Sequence, residues 1–283
     1  MGGDLHVVLW APRSAAERLA DLAVRRIELL ESCWSRFRSG SELNRLNARA
    51  GQGEVEVSGD LRRLAVACSD AYAWSGGDVD ATVLGSMVAL GYAEDFTSVA
   101  AALPAAWVPR PAVGMDGVRI GLRTVSIPAG VGLDPGGVGK GLAGEIVTAE
   151  IADAGADAIL VSLGGDVVTR GTPPGADPWR VSMRDDRLAA RTEVRVLELL
   201  GAHRAVATSS TLRRRWAGRH HVVDPRTGRP TDSGIVQATV VADCGWRAEA
   251  AATVALVRGS ACVGWLARRG CTAYLLGAAV PRA

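Results

Sequence analysis

Lysine is almost absent from this chain. All of its 32 basic residues except Lys140 are arginines, and Lys140 stands among glycines in LDPGGVGKGLAGE (133–145). Arginine in place of lysine, with much alanine and glycine, reflects nucleotide composition of the source genome, but that does not explain why one lysine remains. Excess charge is missing too. The 32 basic against 30 acidic residues leave a net +2, which removes the electrostatic case for nucleic acid or an anionic membrane surface as partner. Cysteine is sparse: Cys33, Cys68, Cys244, Cys262 and Cys271 form no CxxC pair and no metal-ligand spacing. They predict reduced, mostly buried thiols rather than a disulfide framework or a zinc site. No apolar run reaches the roughly 18 charge-free residues of a membrane span. No basic-then-apolar leader precedes DLHVVLWA (4–11), so the expected location is the cytoplasm.

What is present is a globular composition. The 283 residues are 48% hydrophobic and 22% charged, enough to bury a full core in one large domain or two subdomains. DLHVVLWA predicts an opening strand. A long amphipathic helix follows Pro12, with Leu19, Leu22, Ala23, Ile27, Leu30 and Trp34 on its apolar stripe. Ser39 or Ser41 caps a short helix, and a second amphipathic helix stops at Gly76–Gly77. VRIGLRTVSIP reads as a strand pair, the lysine loop leads into a helix over 140–154, and DAILVSLGGD reads as a buried strand ending in a glycine turn. Further strands are expected at WRVSM, EVRVLEL, RAVATSS, HHVVDPRTGRP, IVQATVVAD and TAYLLGAAV, with closing helices near 246–257 and 260–269. Strands grouped in runs favour α+β over a regular α/β alternation.

Two nucleotide-binding patterns compete for the lysine loop. A P-loop needs glycine five residues before Gly139 and a hydroxyl after the lysine; Asp134 and Gly141 stand there instead, so the pattern fails at both ends. Gly139, Gly141 and Gly144 satisfy GxGxxG, but the glycines of that fingerprint begin directly after a strand, and PAGVGLDPGG intervenes here. Two readings of the stretch remain open. Glycine N–H groups, a helix start and an ammonium would suit a phosphate; equally, the glycines would make a tight helix-entry turn with a solvated lysine.

Several stretches, taken in order, resemble the FAD:protein FMN transferases, the ApbE flavin transferase family. WSRFRSGSELNRLN (34–47) is similar to its serine–glutamate–leucine motif, and GGDVDATV (76–83) to its Phe-Asp-Pro-Thr loop. LDPGGVGKG resembles its Leu-Asp-Leu-Gly-Gly-Ile-Ala-Lys-Gly signature, and VSLGGDV (161–167) its Asn-Leu-Gly-Gly-Asp strand end. VATSS (206–210), HHVVDPRTGRP (220–230) and AEAAATVAL (248–256) are similar to its Ala-Thr-Ser-Gly, His-Ile-Ile-Asp-Pro and Ala-Asp-Ala-x-Ala-Thr stretches. The resemblance spans nearly the whole chain.

It implies an α+β, ApbE-like fold of mixed and antiparallel sheets with packed helices. A single domain, 1–283, would be built from two interleaved subdomains joined near 94–116. It also implies an enzyme that takes FAD as substrate with Mg²⁺ or another divalent cation. The enzyme would move FMN onto a Ser/Thr hydroxyl of an acceptor protein and release AMP. By resemblance the metal ligands are Glu249, Thr253 and the Gly139 carbonyl. Glu249 and Thr253 lie four apart on one helix face, and carboxylate, hydroxyl and carbonyl oxygens suit a hard cation. Without the family they would read as an exposed charge and a packing hydroxyl. FAD would be held by Ser41, Glu42, Asp80, Thr82, Gly136, Gly137, Lys140, Glu145, Gly164, Gly165, Asp166, Thr208, Ser209, His221, Asp224 and Thr227. Lys140, Asp80 and His221 would act in catalysis, His221 as base on the acceptor hydroxyl or as a phosphate contact. The plain alternatives are a structural strand histidine at 221 and an Asx turn at 80–82. Arg213, Arg214 and Arg215 would meet phosphate or peptide, or form a solvated face.

The chain departs from the family pattern at several of these positions. Glu249 and Glu145 stand for aspartates, Ser210 for a glycine, Pro135 for a leucine, Ala81 for a proline, and Met1-Gly2-Gly3 for Met-Gly-Thr. The extra methylene of Glu249 moves its carboxylate outward by ~1.5 Å. These changes leave room for an FAD hydrolase releasing FMN and AMP, for a flavin-binding or trafficking protein, or for a relative reused on another acceptor.

Overall fold

The computed structural model describes residues 3–96, 107–175, 178–188 and 192–278. Residues 97–106 of the expected subdomain joint therefore lie outside the described residues, as do Met1 and Gly2 and the end of the last predicted strand. The core is one antiparallel sheet of six strands: β1 (Leu5–Trp10), β5 (Ala158–Leu163), β6 (Asp166–Arg170), β9 (His203–Ser210), β14 (Ile235–Ala242) and β15 (Thr272–Gly277), adjacent in that order. Strands β2 (Val55–Glu56), β3 (Arg119–Ile120) and β4 (Thr124–Ser126) make a small separate sheet, so the predicted strand pair around residue 120 is present.

Helices α1 (Arg13–Trp34), α5 (Gly139–Asp153) and α6 (Gly245–Arg258) cover one face of the large sheet, with α3 (Gly59–Ser75) beside them. The α1 stripe is buried at Leu19, Ala23, Ile27, Leu30 and Trp34; Leu22 is half-buried at its edge. Ser41 caps α2 (Glu42–Asn47) by accepting from the Asn44 N–H at 3.1 Å. Gly76, at φ +67°, ends α3 in the left-handed conformation that glycine adopts without steric cost. The opposite face of the sheet is covered by the ribbon β7 (Trp179–Arg184) and β8 (Glu193–Leu199), whose Trp179, Met183, Leu197 and Leu199 pack on Val167 and Val206. Helix α4 (Leu84–Ala89) follows the loop at 78–83, and α7 (Val263–Ala267) follows a short 3₁₀ turn after α6. The stretch Gly245–Ala267 is long and apolar enough to cross a membrane by length and composition, but half of its most apolar window is buried within the fold.

One expectation is corrected. HHVVDPRTGRP is not a single strand running into a turn. It divides between two hairpins, β10 (Arg215–Trp216) with β11 (Arg219–His220), and β12 (Val223–Asp224) with β13 (Arg229–Pro230). His221 falls in the break between them, outside both ladders. The five cysteines carry no disulfide: Cys68, Cys262 and Cys271 are buried and Cys33 and Cys244 half-buried.

Candidate functional site

A cavity of about 670 Å³ opens where the loops at 78–83 and 134–138, the β5–β6 turn, the end of β9 and one face of α6 converge. It lies within the 300–1,000 Å³ common for cofactor-sized ligands. The lysine sits at its wall. Lys140 Nζ pairs with Asp166 and, at 2.8 Å, with Glu249 Oε1. Each carboxylate is fixed through its other oxygen: Asp166 Oδ1 accepts from the Thr208 N–H at 3.0 Å, and Glu249 Oε2 from the Gly141 N–H at 2.9 Å. Burial opposes the charge on Lys140, but the Asp166 and Glu249 carboxylates outweigh it and hold the ammonium above the usual lysine range. Burial raises the Glu249 carboxyl, against the pull of Lys140. The helix-entry turn is real, and the lysine in it is not a solvated one.

The glycines around Lys140 divide by task. Gly136 and Gly137 line the cavity. Gly141 and Gly144 do not line it. A Cβ on Gly141 would stand 2.1 Å from the Gly245 carbonyl oxygen, and one on Gly144 2.7 Å from Val168 Cγ2. They are the close contact between α5, α6 and β6, so two of the three GxGxxG glycines serve helix packing. Glu145 belongs to the same joint: its Oε1 accepts the Gly245 N–H at 2.8 Å, and burial raises its carboxyl.

The structure brings Asp80, Gly136, Gly137, Lys140, Gly164, Gly165, Thr208, Ser209, His221, Glu249 and Thr253 to the cavity wall. Thr208 also pairs its hydroxyl with Thr239 at 2.9 Å. Asp166 stands behind Lys140 and orients it. Asp80 does form an Asx-type turn, accepting from the Thr82 N–H and hydroxyl at 2.8 Å each, while Thr82 Oγ1 receives the N–H groups of Val113 and Gly114. Thr82 thus pins a neighbouring loop rather than facing the cavity.

Ser41, Glu42, Asp224 and Thr227 are not brought to the wall. Ser41 is the α2 cap, and Glu42 binds the N–H and hydroxyl of Ser58, both at 2.6 Å. Asp224 accepts from the Arg226 N–H at 2.9 Å, and Thr227 closes the same turn. Gly139 opens α5 one residue before the lysine and is likewise not among the residues lining the cavity.

His221 faces the cavity, whereas both nitrogens of His220 meet backbone groups, the Thr231 carbonyl and the Val222 N–H. Burial, then Arg214, His220 and Lys140, push His221 down to about 3, so the ring is neutral near pH 7. Its Nδ1 is buried without a hydrogen-bond partner among the described residues. Arg213 and Arg214 line the cavity too, Arg213 in a two-bonded pair with Asp186 at 2.8 Å. Arg215 lies in β10 with its side chain exposed.

Sequence reading missed three groups at this site. Asp134, inside the lysine motif, accepts from the Gly136 N–H at 2.9 Å and pairs with Arg36 Nε at 2.9 Å. Arg36 in turn lies over Phe37 and Tyr92, 4.0 and 4.4 Å from their ring centres. Asp78, fully buried, receives Arg258 and Arg226, and so ties the loop at 78–83 to the end of α6 and to the β12–β13 turn. Asp134 and Asp78 stand in motifs already singled out; their partners, distant in sequence, gave no local signal.

Among the described residues no three His, Cys, Asp or Glu side chains cluster as a metal centre. A divalent ion would therefore rest on the family-type set of one carboxylate, one hydroxyl and one carbonyl. The carboxylate and the hydroxyl of that set stand on the cavity wall, whereas Gly139 is not among the residues that line it. Glu249 Oε1 is buried, its contact the Lys140 ammonium at 2.8 Å, and Thr253 lines the same wall one helical turn on, its hydroxyl engaged only weakly with the Glu249 carbonyl at 3.3 Å.

An antiparallel sheet backed by helices, with a glycine-lysine loop facing a Glu-x-x-x-Thr helix across one cavity, defines a class of protein, and the chain belongs to it: the ApbE family model matches residues 1–275. A FAD:protein FMN transferase of Rhodobacter capsulatus is 33% identical over 235 residues, 80% of this chain and 44% of that protein. A FAD:protein FMN transferase of Escherichia coli K12 is 31% identical over 126 residues, 43% of this chain and 35% of that protein. The matched stretch spans less than half the length of either relative. The crystal structure of the ApbE protein of Thermotoga maritima shares the fold, with a TM-score of 0.84 at 22% identity, covering 98% of this chain and 91% of that one.

Proposed function

We propose that this chain is a metal-dependent FAD:protein FMN transferase, which moves FMN from FAD to a serine or threonine hydroxyl of an acceptor protein and releases AMP. One observation supports it most: a single cavity joins a paired lysine, two arginines, a neutral histidine and the Glu249–Thr253 face. Cleaving a pyrophosphate develops negative charge on the bridging oxygen and the transferred phosphoryl group, and fixed cations stabilise it. Lys140, oriented by Asp166, supplies one such cation, with Arg213 and Arg214 along the same wall. Mg²⁺, held by Glu249, Thr253 and the Gly139 carbonyl, would add Lewis-acid stabilisation of the same charge.

His221 takes the proton of the acceptor hydroxyl as its oxygen bonds to phosphorus and the bond to the AMP phosphate breaks. Its unpartnered Nδ1 is the accepting atom. Burial is the largest cause of the ring's depressed basicity; Arg214 and Lys140, which add to it, are cations that bound pyrophosphate neutralises, so their share is removed when the substrate binds. Equilibrium binding of FAD, with chromatography of products after adding Mg²⁺, tests this reading. Wild-type protein is expected to bind FAD and form AMP, and Lys140→Ala to bind FAD at least tenfold more weakly. Unchanged FAD affinity in that variant would remove Lys140 from the site.

A further inference from the structure

The lysine and the divalent ion compete for the same atom. Lys140 Nζ lies between two buried carboxylates, Asp166 at 4% and Glu249 at 3% side-chain exposure. The ammonium is paired on both sides: it donates a hydrogen bond to Asp166 and lies 2.8 Å from Glu249 Oε1. Each carboxylate keeps its position without the lysine, because the Thr208 and Gly141 N–H groups hold the opposite oxygens. Lys140 can therefore leave Glu249 and remain paired, and the carboxylate it leaves stays in place.

An ammonium and a divalent cation cannot share Glu249 Oε1 without strong like-charge repulsion at contact distance. We propose that Lys140 is a placeholder for the ion: it neutralises Glu249 in the ion-free protein, and withdraws to Asp166 alone when an ion takes Glu249 and Thr253. The inference rests on the ion placement given above, and concerns metal binding rather than transfer. Its consequence is an ordered site, in which loading the ion releases one tie on the lysine and leaves it available to the pyrophosphate beside it.

Because Lys140 is the only lysine in the chain, it reports on itself. Protein with a lysine-free tag, made with ¹³C-lysine, gives one ε-methylene signal, which Mg²⁺ titration follows directly; calorimetry with Mg²⁺ alone gives the affinity. The expected result is a saturable shift of that signal with the midpoint of ion binding, and at least tenfold tighter Mg²⁺ binding by Lys140→Met. Glu249→Gln is expected to abolish both ion binding and the shift. Should Lys140→Met not fold, Asp166→Asn serves. The lysine then has no second partner, and ion binding is expected to weaken at least tenfold. Ion binding that leaves the lysine signal unmoved, an unchanged affinity in Lys140→Met, or no ion binding by either protein would overturn the proposal. These outcomes do not depend on FAD or an acceptor, so a failed transferase reading leaves them legible.

Discussion

Replacing Gly141 with alanine tests whether the glycines after Lys140 serve packing or ligand approach. In an isolated helix the change would stabilise by about 1 kcal/mol, the propensity difference between alanine and glycine. In this fold the added Cβ would lie 2.1 Å from the Gly245 oxygen, 2.3 Å from its carbon and 2.7 Å from the Trp246 nitrogen. All three are backbone atoms, so no side chain can turn aside; α5 and α6 must separate by an ångström or more. Overpacking of a close-packed joint costs about 1–3 kcal/mol, more where backbone must move, and the N–H bond from Gly141 to Glu249 is stretched as well. The expected net loss is about 2 kcal/mol after the propensity gain.

Gly139→Ala is the internal control. Its Cβ would meet only Pro135, at 3.8 Å, so that variant should be neutral or up to about 1 kcal/mol more stable. Urea unfolding of the two variants beside wild type measures the difference. Gly141→Ala as stable as Gly139→Ala would refute the packing assignment and return Gly141 to the ligand.

Three further outcomes are expected. Asp78→Asn leaves Arg258 and Arg226, themselves partly exposed, facing a neutral group at a fully buried position, and should lower unfolding stability by about 2 kcal/mol, whereas Asp224→Asn, half-buried in a turn with local bonds, should change it little. His221 is depressed to about 3, so between pH 6.5 and 3 the unfolded chain takes up a proton that the native protein refuses. Stability therefore falls as pH drops through that window, by about 1.4 kcal/mol per unit once well inside it, and His221→Gln should lose about 1 kcal/mol less than wild type between pH 6 and 5. Thr253→Ala should keep FAD affinity within about threefold while abolishing Mg²⁺-stimulated AMP release; stimulation equal to wild type would take Thr253 out of the ion site.

The parts of the fold that carry local periodicity were legible in the sequence. The α1 stripe, the glycine stop of α3, the Ser41 cap and the β5–β6 glycine turn all follow from short-range rules. HHVVDPRTGRP misled because its Val-Val pair before a Pro-Gly turn suits one strand, while the chain breaks at His221 between two hairpins. At the site, the isolation of the lysine among glycines singled it out without deciding between a phosphate contact and a solvated side chain, and its partners were not readable. Asp166 and Glu249 lie 26 and 109 residues away, and only the shared crossing of α5 and α6 on β6 and β9 brings them together. The same distance hid Arg36 from Asp134 and Arg258 from Asp78. Ser41, Glu42, Asp224 and Thr227 stand in motifs that resemble the family's, yet their hydrogen bonds are local, within caps and turns.

The most direct measurement is the intact mass of an acceptor. Purified protein is incubated with FAD, Mg²⁺ and a domain fragment of a flavin-carrying subunit that bears the acceptor serine or threonine, beside a fragment with that hydroxyl removed. The account predicts that the first fragment gains the mass of FMN less water, that one AMP appears per adduct, and that the second fragment is unchanged. FMN and AMP without an adduct, or FAD left intact, would contradict it.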